Sequence, residues 1–163
     1  MNVIDREEFA QLLRENSIKL RLKREVRFVP EEIEEWDSRD FLAVTNRSGS
    51  EGILIAPLEA MYVVPFQLHK RMPSSRSGRT EAIICDFCAT WQRGSNSATI
   101  TFFKKSSTIS FLCCADLLCS LHVRSKTLAA TLSRTQLRED ITAEGRISRL
   151  RARLTAILDQ MSD

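Results

Sequence analysis

Apolar residues recur at helical spacing near the start of the chain. Phe9 and Leu13 share one helical face, and the preceding Asp5 and Glu8 have capping-box spacing, with Asp in the place of Ser or Thr. The pattern predicts a helix from about Asp5 to Asn16.

The end of the chain shows the same spacing over a longer stretch. Its apolar stripe consists of Ile147, Leu150, Leu154, Ile157, Leu158 and Met161. This stripe predicts an amphipathic helix over Ala143–Met161, with Thr142 as its N-terminal cap. Four arginines fall largely off the stripe: Arg146, Arg149, Arg151 and Arg153.

Between these helices the pattern changes to short β-like runs. The first three runs are Phe41–Thr45, Ile53–Leu58 and Tyr62–Leu68, and two more follow at Ala98–Lys104 and Thr108–Leu112. Pro57 and Pro65 indicate strands that are edges or end early. Strands and helices together predict an α+β fold with small antiparallel sheets.

Four segments are harder to read. Residues 18–23 fit a short extended stretch or a helix tail, and Pro30 suits the first position of a short acidic helix reaching Trp36. Residues 72–80 are expected to form a polar, flexible loop. Residues 120–140 are polar and weakly periodic, which is compatible with partial disorder.

Length and composition indicate an ordinary globular protein. The chain has 163 residues, of which 43% are hydrophobic and 28% charged. One compact domain is expected, in which residues 1–80 supply the first helix and hairpin and residues 81–163 supply the rest. Neither a membrane span nor a signal peptide is evident, so we expect a cytoplasmic protein with reduced cysteines.

Charge is unevenly distributed although the net charge is only +3. Residues 31–40 are rich in Glu and Asp, whereas residues 69–79 carry four basic side chains and no acidic one. Separate patches of opposite charge suit a charged partner surface, either an acidic protein or RNA.

The cysteines carry the strongest chemical signal. Cys85 and Cys88 form a C-x2-C knuckle, and a second cluster of Cys113, Cys114 and Cys119 follows two strand-like runs. Knuckle, hairpin and a ligand pair entering a helix are the plan of a treble-clef finger around one structural Zn²⁺. The spacing leaves the second pair open, because Cys113 could replace Cys114 and His122 could pair with Cys119.

No catalytic motif accompanies the cysteines. Four thiolates fill a zinc tetrahedron, and the chain lacks the H-E-x-x-H, the deaminase H-x-E and the G-x-S-x-G patterns. We therefore expect a binding protein rather than an enzyme.

Three stretches of the chain resemble the FBP family, the elongation factor G-binding proteins that include fusidic acid resistance proteins of the FusB type. They are the run from Cys114 to Arg124 downstream of the knuckle, the acidic stretch from Trp36 to Leu42, and the terminal helix from Thr142. The resemblance implies a treble-clef finger with Cys85, Cys88, Cys114 and Cys119 as the zinc ligands. Cys113 and His122 fall outside the family's motif.

The resemblance also implies a function. It implies that the protein binds elongation factor G on the ribosome and promotes its release, which in the resistance proteins rescues translation from fusidic acid. Those proteins have a separate N-terminal helical bundle, and this sequence is expected to be the zinc-finger domain alone. Resistance to the drug therefore does not follow from the resemblance.

Six residues around the expected finger are candidates for contact with a partner. Aromatic anchors and basic rims are common in interfaces, and the candidates are Phe87, Trp91, Lys104, Lys105, Arg124 and Lys126. The competing hypothesis is a treble-clef module that binds RNA or associates with the ribosome, because basic and aromatic residues together also suit nucleic acid.

Overall fold

The computed structural model describes residues 1–74, 77–137 and 140–161. The helices are α1 (Arg6–Glu15), α2 (Leu20–Glu25), α3 (Cys119–Val123), α4 (Leu128–Leu137) and α5 (Ala143–Asp159). The strands are β1 (Leu42–Thr45), β2 (Glu51–Pro57), β3 (Met61–Lys70), β4 (Ile83–Ile84), β5 (Trp91–Gln92), β6 (Ser97–Phe103) and β7 (Thr108–Cys114). None of the described helices combines the length and the apolar character needed to cross a bilayer.

Five strands form one antiparallel sheet in the order β1-β2-β3-β6-β7, and β4 and β5 form a separate two-stranded ribbon. The pairing of β3 with β6, in which Phe66 lies opposite Phe102, joins the part of the chain before residue 81 to the part after it. The fold is thus the expected α+β arrangement.

Pro65 lies where β3 has only one neighbour. The strand pairs with β2 from Met61 to Gln67, whereas its pairing with β6 begins at Phe66. A proline cannot donate to a second strand, so this edge-like half of β3 tolerates it.

Helices cover the sheet on both faces. On one face α1 and α2 bury Phe9 and Leu22 against β1, β2 and the first half of β3. Ile53 of β2 is fully buried in this cluster. On the other face α5 buries Leu150 and Leu154 in a second cluster with core residues of β2, β3, β6 and β7. The alternation of side chains along each strand supplies both clusters.

The two terminal helices begin as the sequence predicts. The side chain of Asp5 accepts hydrogen bonds from the amides of Glu7 and Glu8, and Glu8 completes the capping box. Thr142 accepts a hydrogen bond from the amide of Gly145 at the start of α5. Both caps satisfy amides that have no partner within their helix.

Two of the unclear segments differ from the expectation. The acidic helix from Pro30 to Trp36 is instead two 3₁₀ turns, Pro30–Glu32 and Trp36–Ser38, because Glu35 adopts a left-handed φ of 57° between them. Of residues 18–23, the last four belong to the separate helix α2. In this helix Leu22 is buried and Leu20 is 61% exposed.

Residues 120–140 are mostly helical where the structure describes them. They include most of α3 and all of α4, and the amide of Trp91 donates a hydrogen bond to Oγ of Ser133 in α4 at 2.7 Å. Helix α4 thus packs against β5 and buries Ala130 and Ser133, a tertiary contact that the weakly periodic sequence does not indicate. Residues 138–139 of this segment, and residues 75–76 of the loop expected at 72–80, lie outside the described residues.

A buried carboxylate joins the N-terminal segment to the C-terminal helices. Oδ2 of Asp40 accepts from Nη1 of Arg124 at 2.6 Å, and Oδ1 accepts from Nε of Arg151 in α5 at 2.8 Å. The amide of Asp40 donates to Oγ of Ser120 in α3 at 2.9 Å. The carboxylate is 0% exposed, so its charge depends on these two guanidinium groups.

We expect Asp40→Ala to destabilise the protein by about 3 kcal/mol, because the substitution leaves the largely buried Arg124 without its carboxylate. Urea unfolding of the zinc-loaded protein measures this loss. Asp37→Ala, which removes an exposed carboxylate, is the matched control and should cost less than about 0.5 kcal/mol. Equal losses in the two variants would show that water replaces the Asp40 carboxylate.

Candidate metal centre

Tight turns place the four predicted ligands. Cys85 and Cys88 lie on the turn after β4, where the amide of Ala89 donates to the carbonyl of Cys85 at 2.8 Å. Ala89 has a left-handed φ of 54°, which returns the chain toward β5. Cys114 is the last residue of β7, and Cys119 is the first residue of α3.

The four sulfur atoms form one buried cluster. Sγ of Cys85 lies 3.8 Å from Sγ of Cys119, and Sγ of Cys88 lies 3.6 Å from Sγ of Cys114. All four atoms lie within 4.8 Å of one another. No side chain of the set is more than 2% exposed.

These distances fit one structural zinc ion. A tetrahedron with Zn–S bonds of about 2.3 Å separates neighbouring sulfur atoms by about 3.8 Å. The closest pairs in the cluster, at 3.6 and 3.8 Å, agree with that geometry. Four thiolates complete the coordination of the ion and leave no position for water.

Cys113 lies outside the sulfur cluster. It pairs with Ala98 across the sheet and is fully buried in the main core, whereas its neighbour Cys114 joins the ligands. Adjacent strand residues face opposite sides, so only one of the two reaches the ion. Burial raises the pKa of the Cys113 thiol, which keeps it protonated.

The buried thiols cannot all ionise without a cation. Hydrogen bonds with Cys114, Cys85 and Cys88, together with burial, raise the pKa of Cys119 well above its ordinary value. Burial also opposes ionisation of Cys88, but hydrogen bonds from the other thiols and His122 outweigh it and hold the pKa of Cys88 well below its ordinary value. Zinc deprotonates the thiols that coordinate it, so its binding releases protons and weakens as the pH falls.

A buried histidine lies against this cluster. Nδ1 of His122 is 3.3 Å from Sγ of Cys114, and Nε2 is 3.4 Å from Oδ2 of Asp116. Burial disfavours the charged ring, but Asp116 and Cys88 outweigh this effect and raise the pKa of His122 to about 9. Because the two ring nitrogens face different groups, the imidazole bridges a ligand and a carboxylate and does not replace a sulfur in the cluster.

Polar contacts hold Asp116 in place. Its Oδ2 accepts from Nδ2 of Asn96 at 2.7 Å, and its Oδ1 accepts from the amide of Leu118 at 2.9 Å. Asn96 also donates to Oε1 of the buried Gln92, whose Nε2 lies 3.4 Å from Nδ1 of His122. The result is a closed ring of contacts beside the ligands, drawn from three separate segments.

The structure distributes the predicted partner-binding residues among different environments. Phe87 is 1% exposed and its ring lies 6.1 Å from that of Phe111, so it packs in the core beside the ligands. Arg124 binds the buried Asp40, and Lys126 binds Glu35. Phe87 and Arg124 thus have structural contacts that the sequence analysis missed.

The remaining three candidates lie at two separate places. Trp91 is half-buried in β5, next to the ligand turn, whereas Lys104 and Lys105 lie on the hairpin turn at the other end of β6. The seven residues of β6 span about 20 Å. Phe87 is buried, and Trp91 and the two lysines lie toward opposite ends of β6.

This arrangement is that of a treble-clef zinc finger: the ligand turn, the β6–β7 hairpin and the start of α3 surround one site of four sulfur atoms. The chain matches the FBP C-terminal treble-clef zinc-finger family over residues 16–161, and it belongs to that family. Neither a curated protein nor a solved structure matches the chain.

We expect Cys85→Ser, Cys88→Ser, Cys114→Ser and Cys119→Ser each to lose zinc and much of the stability. The apparent binding free energy of structural zinc in finger peptides is about 10–16 kcal/mol, so its loss removes much of the folding free energy. Zinc content and thermal melting measure both effects.

Cys113→Ser is the matched control for these variants. It should retain zinc and lose only about 1–3 kcal/mol, because it buries a hydroxyl in place of a thiol. Full zinc in Cys114→Ser together with loss of zinc from Cys113→Ser would overturn the ligand assignment.

We expect His122→Ala to release zinc at least about tenfold faster than the unmodified protein, because Cys114 loses the ring that orients it. Transfer of zinc to a coloured chelator measures the rate. His69→Ala removes an exposed histidine instead and should leave the rate unchanged. Equal rates in the two variants would mean that the His122 contact does not hold the ligand.

Proposed function

We propose that this protein binds elongation factor G and promotes its release from the ribosome. The observation that carries the proposal is the match to the FBP family over residues 16–161, since that family is named for binding this factor. The buried four-cysteine cluster supports it, because the match includes the finger.

The arrangement of the metal centre favours binding over catalysis. The four sulfur atoms are buried and surround the ion on all sides, so the zinc has no open position for a substrate. Its role in this proposal is to hold β7, α3 and the turn after β4 as a rigid platform.

The surface beside Trp91 is the best candidate for contact with the factor. Trp91, Leu128 and Leu132 line an apolar notch of about 140 Å³ between β5 and α4, with Arg93 at its rim. Leu128 is 73% exposed, so the notch presents apolar surface to the solvent. An aromatic residue beside a small apolar notch with a basic rim suits a protein side chain on an acidic surface.

Calorimetry of the zinc-loaded protein with purified elongation factor G tests the proposal, and we expect saturable binding near one to one. Trp91→Ala and Leu128→Ala should each weaken binding by about tenfold or more, since central anchors in interfaces contribute about 2 kcal/mol. Met72→Ala, which truncates a residue that is 80% exposed and is not part of the notch lining, is the control.

Three outcomes of this experiment differ in meaning. Binding that both notch variants weaken supports the proposed surface. Binding that neither variant changes keeps the factor as partner and rejects the notch. No binding at any salt concentration rejects the proposed function. If elongation factor G does bind, translation assays with fusidic acid show whether the protein releases the factor from the ribosome.

A further inference from the structure

Among residues 1–74, 77–137 and 140–161, no helix covers one part of the central sheet. On β6, Ala98, Ile100 and Phe102 face the core beneath α5, so the alternate residues lie on the opposite face. Helices α1 and α2 cover that opposite face only over β1, β2 and the first half of β3. We call the uncovered part the open face; its residues, which lie opposite one another in register, are Gln67, His69, Thr99, Thr101, Phe103, Thr108, Ser110 and Leu112.

The open face is mostly polar. Six of its eight side chains carry a hydroxyl, an amide or an imidazole, and the hydroxyls of Thr101 and Ser110 lie 2.8 Å apart. Its two apolar members, Phe103 and Leu112, are 47% and 37% exposed. The buried centre of a protein interface is usually richer in apolar and aromatic groups, so this face suits a polar ligand better.

The charges around the open face favour an anion. Neither residues 61–79 nor residues 87–115 contain an aspartate or a glutamate, and Lys104 and Lys105 follow Phe103 on the hairpin turn. The nearest carboxylate on the neighbouring strand, Glu51, is bound by Arg21 and Gln67. At the other end of β7, Asp86 accepts from the amide of Leu112, so the positive end is the one beside Phe103.

A cleft opens at that same positive end. It has a volume of about 240 Å³ and lies between the start of α2 and the open face. Its lining includes Lys19, Phe103 and the carboxylate of Glu51, which Arg21 in the same lining binds. An exposed aromatic ring beside a cleft with a lysine at its rim can stack one planar base and bind the phosphate next to it.

We propose that the open face binds single-stranded RNA. Phe103 stacks a base at the cleft, Lys104 and Lys105 contact phosphates, and the hydroxyls of β6 and β7 hydrogen-bond to bases and 2′-hydroxyl groups. Unpaired bases are required, since a flat sheet cannot reach base faces that are stacked within a duplex. This surface is separate from the Trp91 notch, so it does not depend on the proposed partner.

Fluorescence anisotropy with a labelled oligouridine of about 12 nucleotides tests the proposal on the full zinc-loaded chain. Phe103→Ala should weaken binding by about 5- to 150-fold, the range that one base–aromatic stack contributes. Leu128→Ala, which truncates an exposed apolar residue on the other side of the finger, should have no effect. Zinc content and melting temperature confirm that both variants are folded.

Salt dependence tests the role of the lysines. The logarithm of affinity should fall with the logarithm of salt concentration by about 0.7 for each phosphate contacted, and Lys104→Glu with Lys105→Glu should reduce that slope. Arg93→Glu, at the rim of the Trp91 notch, is the charge control and should leave the slope unchanged.

Several results would overturn the proposal. They are no binding of the oligouridine at low salt, equal affinity for DNA of matched sequence or for duplex RNA, and unchanged affinity in Phe103→Ala. If Phe103→Ala instead loses elongation factor G and retains RNA, the open face is a protein-binding surface. Loss of factor binding in the notch variants alone leaves the RNA proposal standing.

Discussion

Four thiolates around one zinc ion join the turn at Cys85 and Cys88 to the end of β7 and the start of α3, which lie 26 residues or more further along the chain. The turn also bonds directly to β7, because the amide of Asp86 donates to the carbonyl of Leu112 and its carboxylate accepts from the amide of Leu112. The strands β4 and β5 on either side of it have only two residues each. Removing the ion would leave four buried thiols that cannot all ionise, and the start of α3 would lose its attachment to the turn at Cys85 and Cys88. The positions of Trp91 and α4 depend on that attachment as well. Trp91 begins β5 directly after the ligand turn, and its amide donates to Oγ of Ser133 in α4.

A second set of charges connects the finger to the rest of the molecule. Asp40 binds Arg124 and Arg151, and its amide binds Ser120, the residue after a zinc ligand. The guanidinium of Arg146 donates to the carbonyl of Val123 at 2.9 Å and to the hydroxyl of Ser125, so α5 is bound directly to the end of α3. The finger is therefore connected to the N-terminal segment through α3, and the carboxylate at the centre of this connection, Asp40, is fully buried and paired.

Much of this architecture could be predicted from the sequence, and the exceptions have a common cause. Capping residues and strand alternation act over short distances, so α1, α5 and the five strands of the central sheet were accessible. Cysteine spacing predicted the zinc finger and its knuckle but left the second ligand pair open, and the family resemblance implied Cys114 and Cys119. The 120–140 segment was not, since its helices depend on contacts with β5 and α5. Arg146 was placed off the apolar stripe but is 8% exposed, because three acceptors from other segments surround it. The same reason explains Asp40 and the His122 contact, since partners distant in sequence leave no local pattern.

The continuity of the central sheet has a consequence for how the molecule unfolds. Since β3 pairs with β2 on one side and β6 on the other, Phe66 and Phe102 share a core that belongs to both halves of the chain. A cut between residues 80 and 81 would expose that core on both fragments, so neither half is an autonomous folding unit. Because both halves share this core, we expect removal of the metal to destabilise the N-terminal layer as well as the finger.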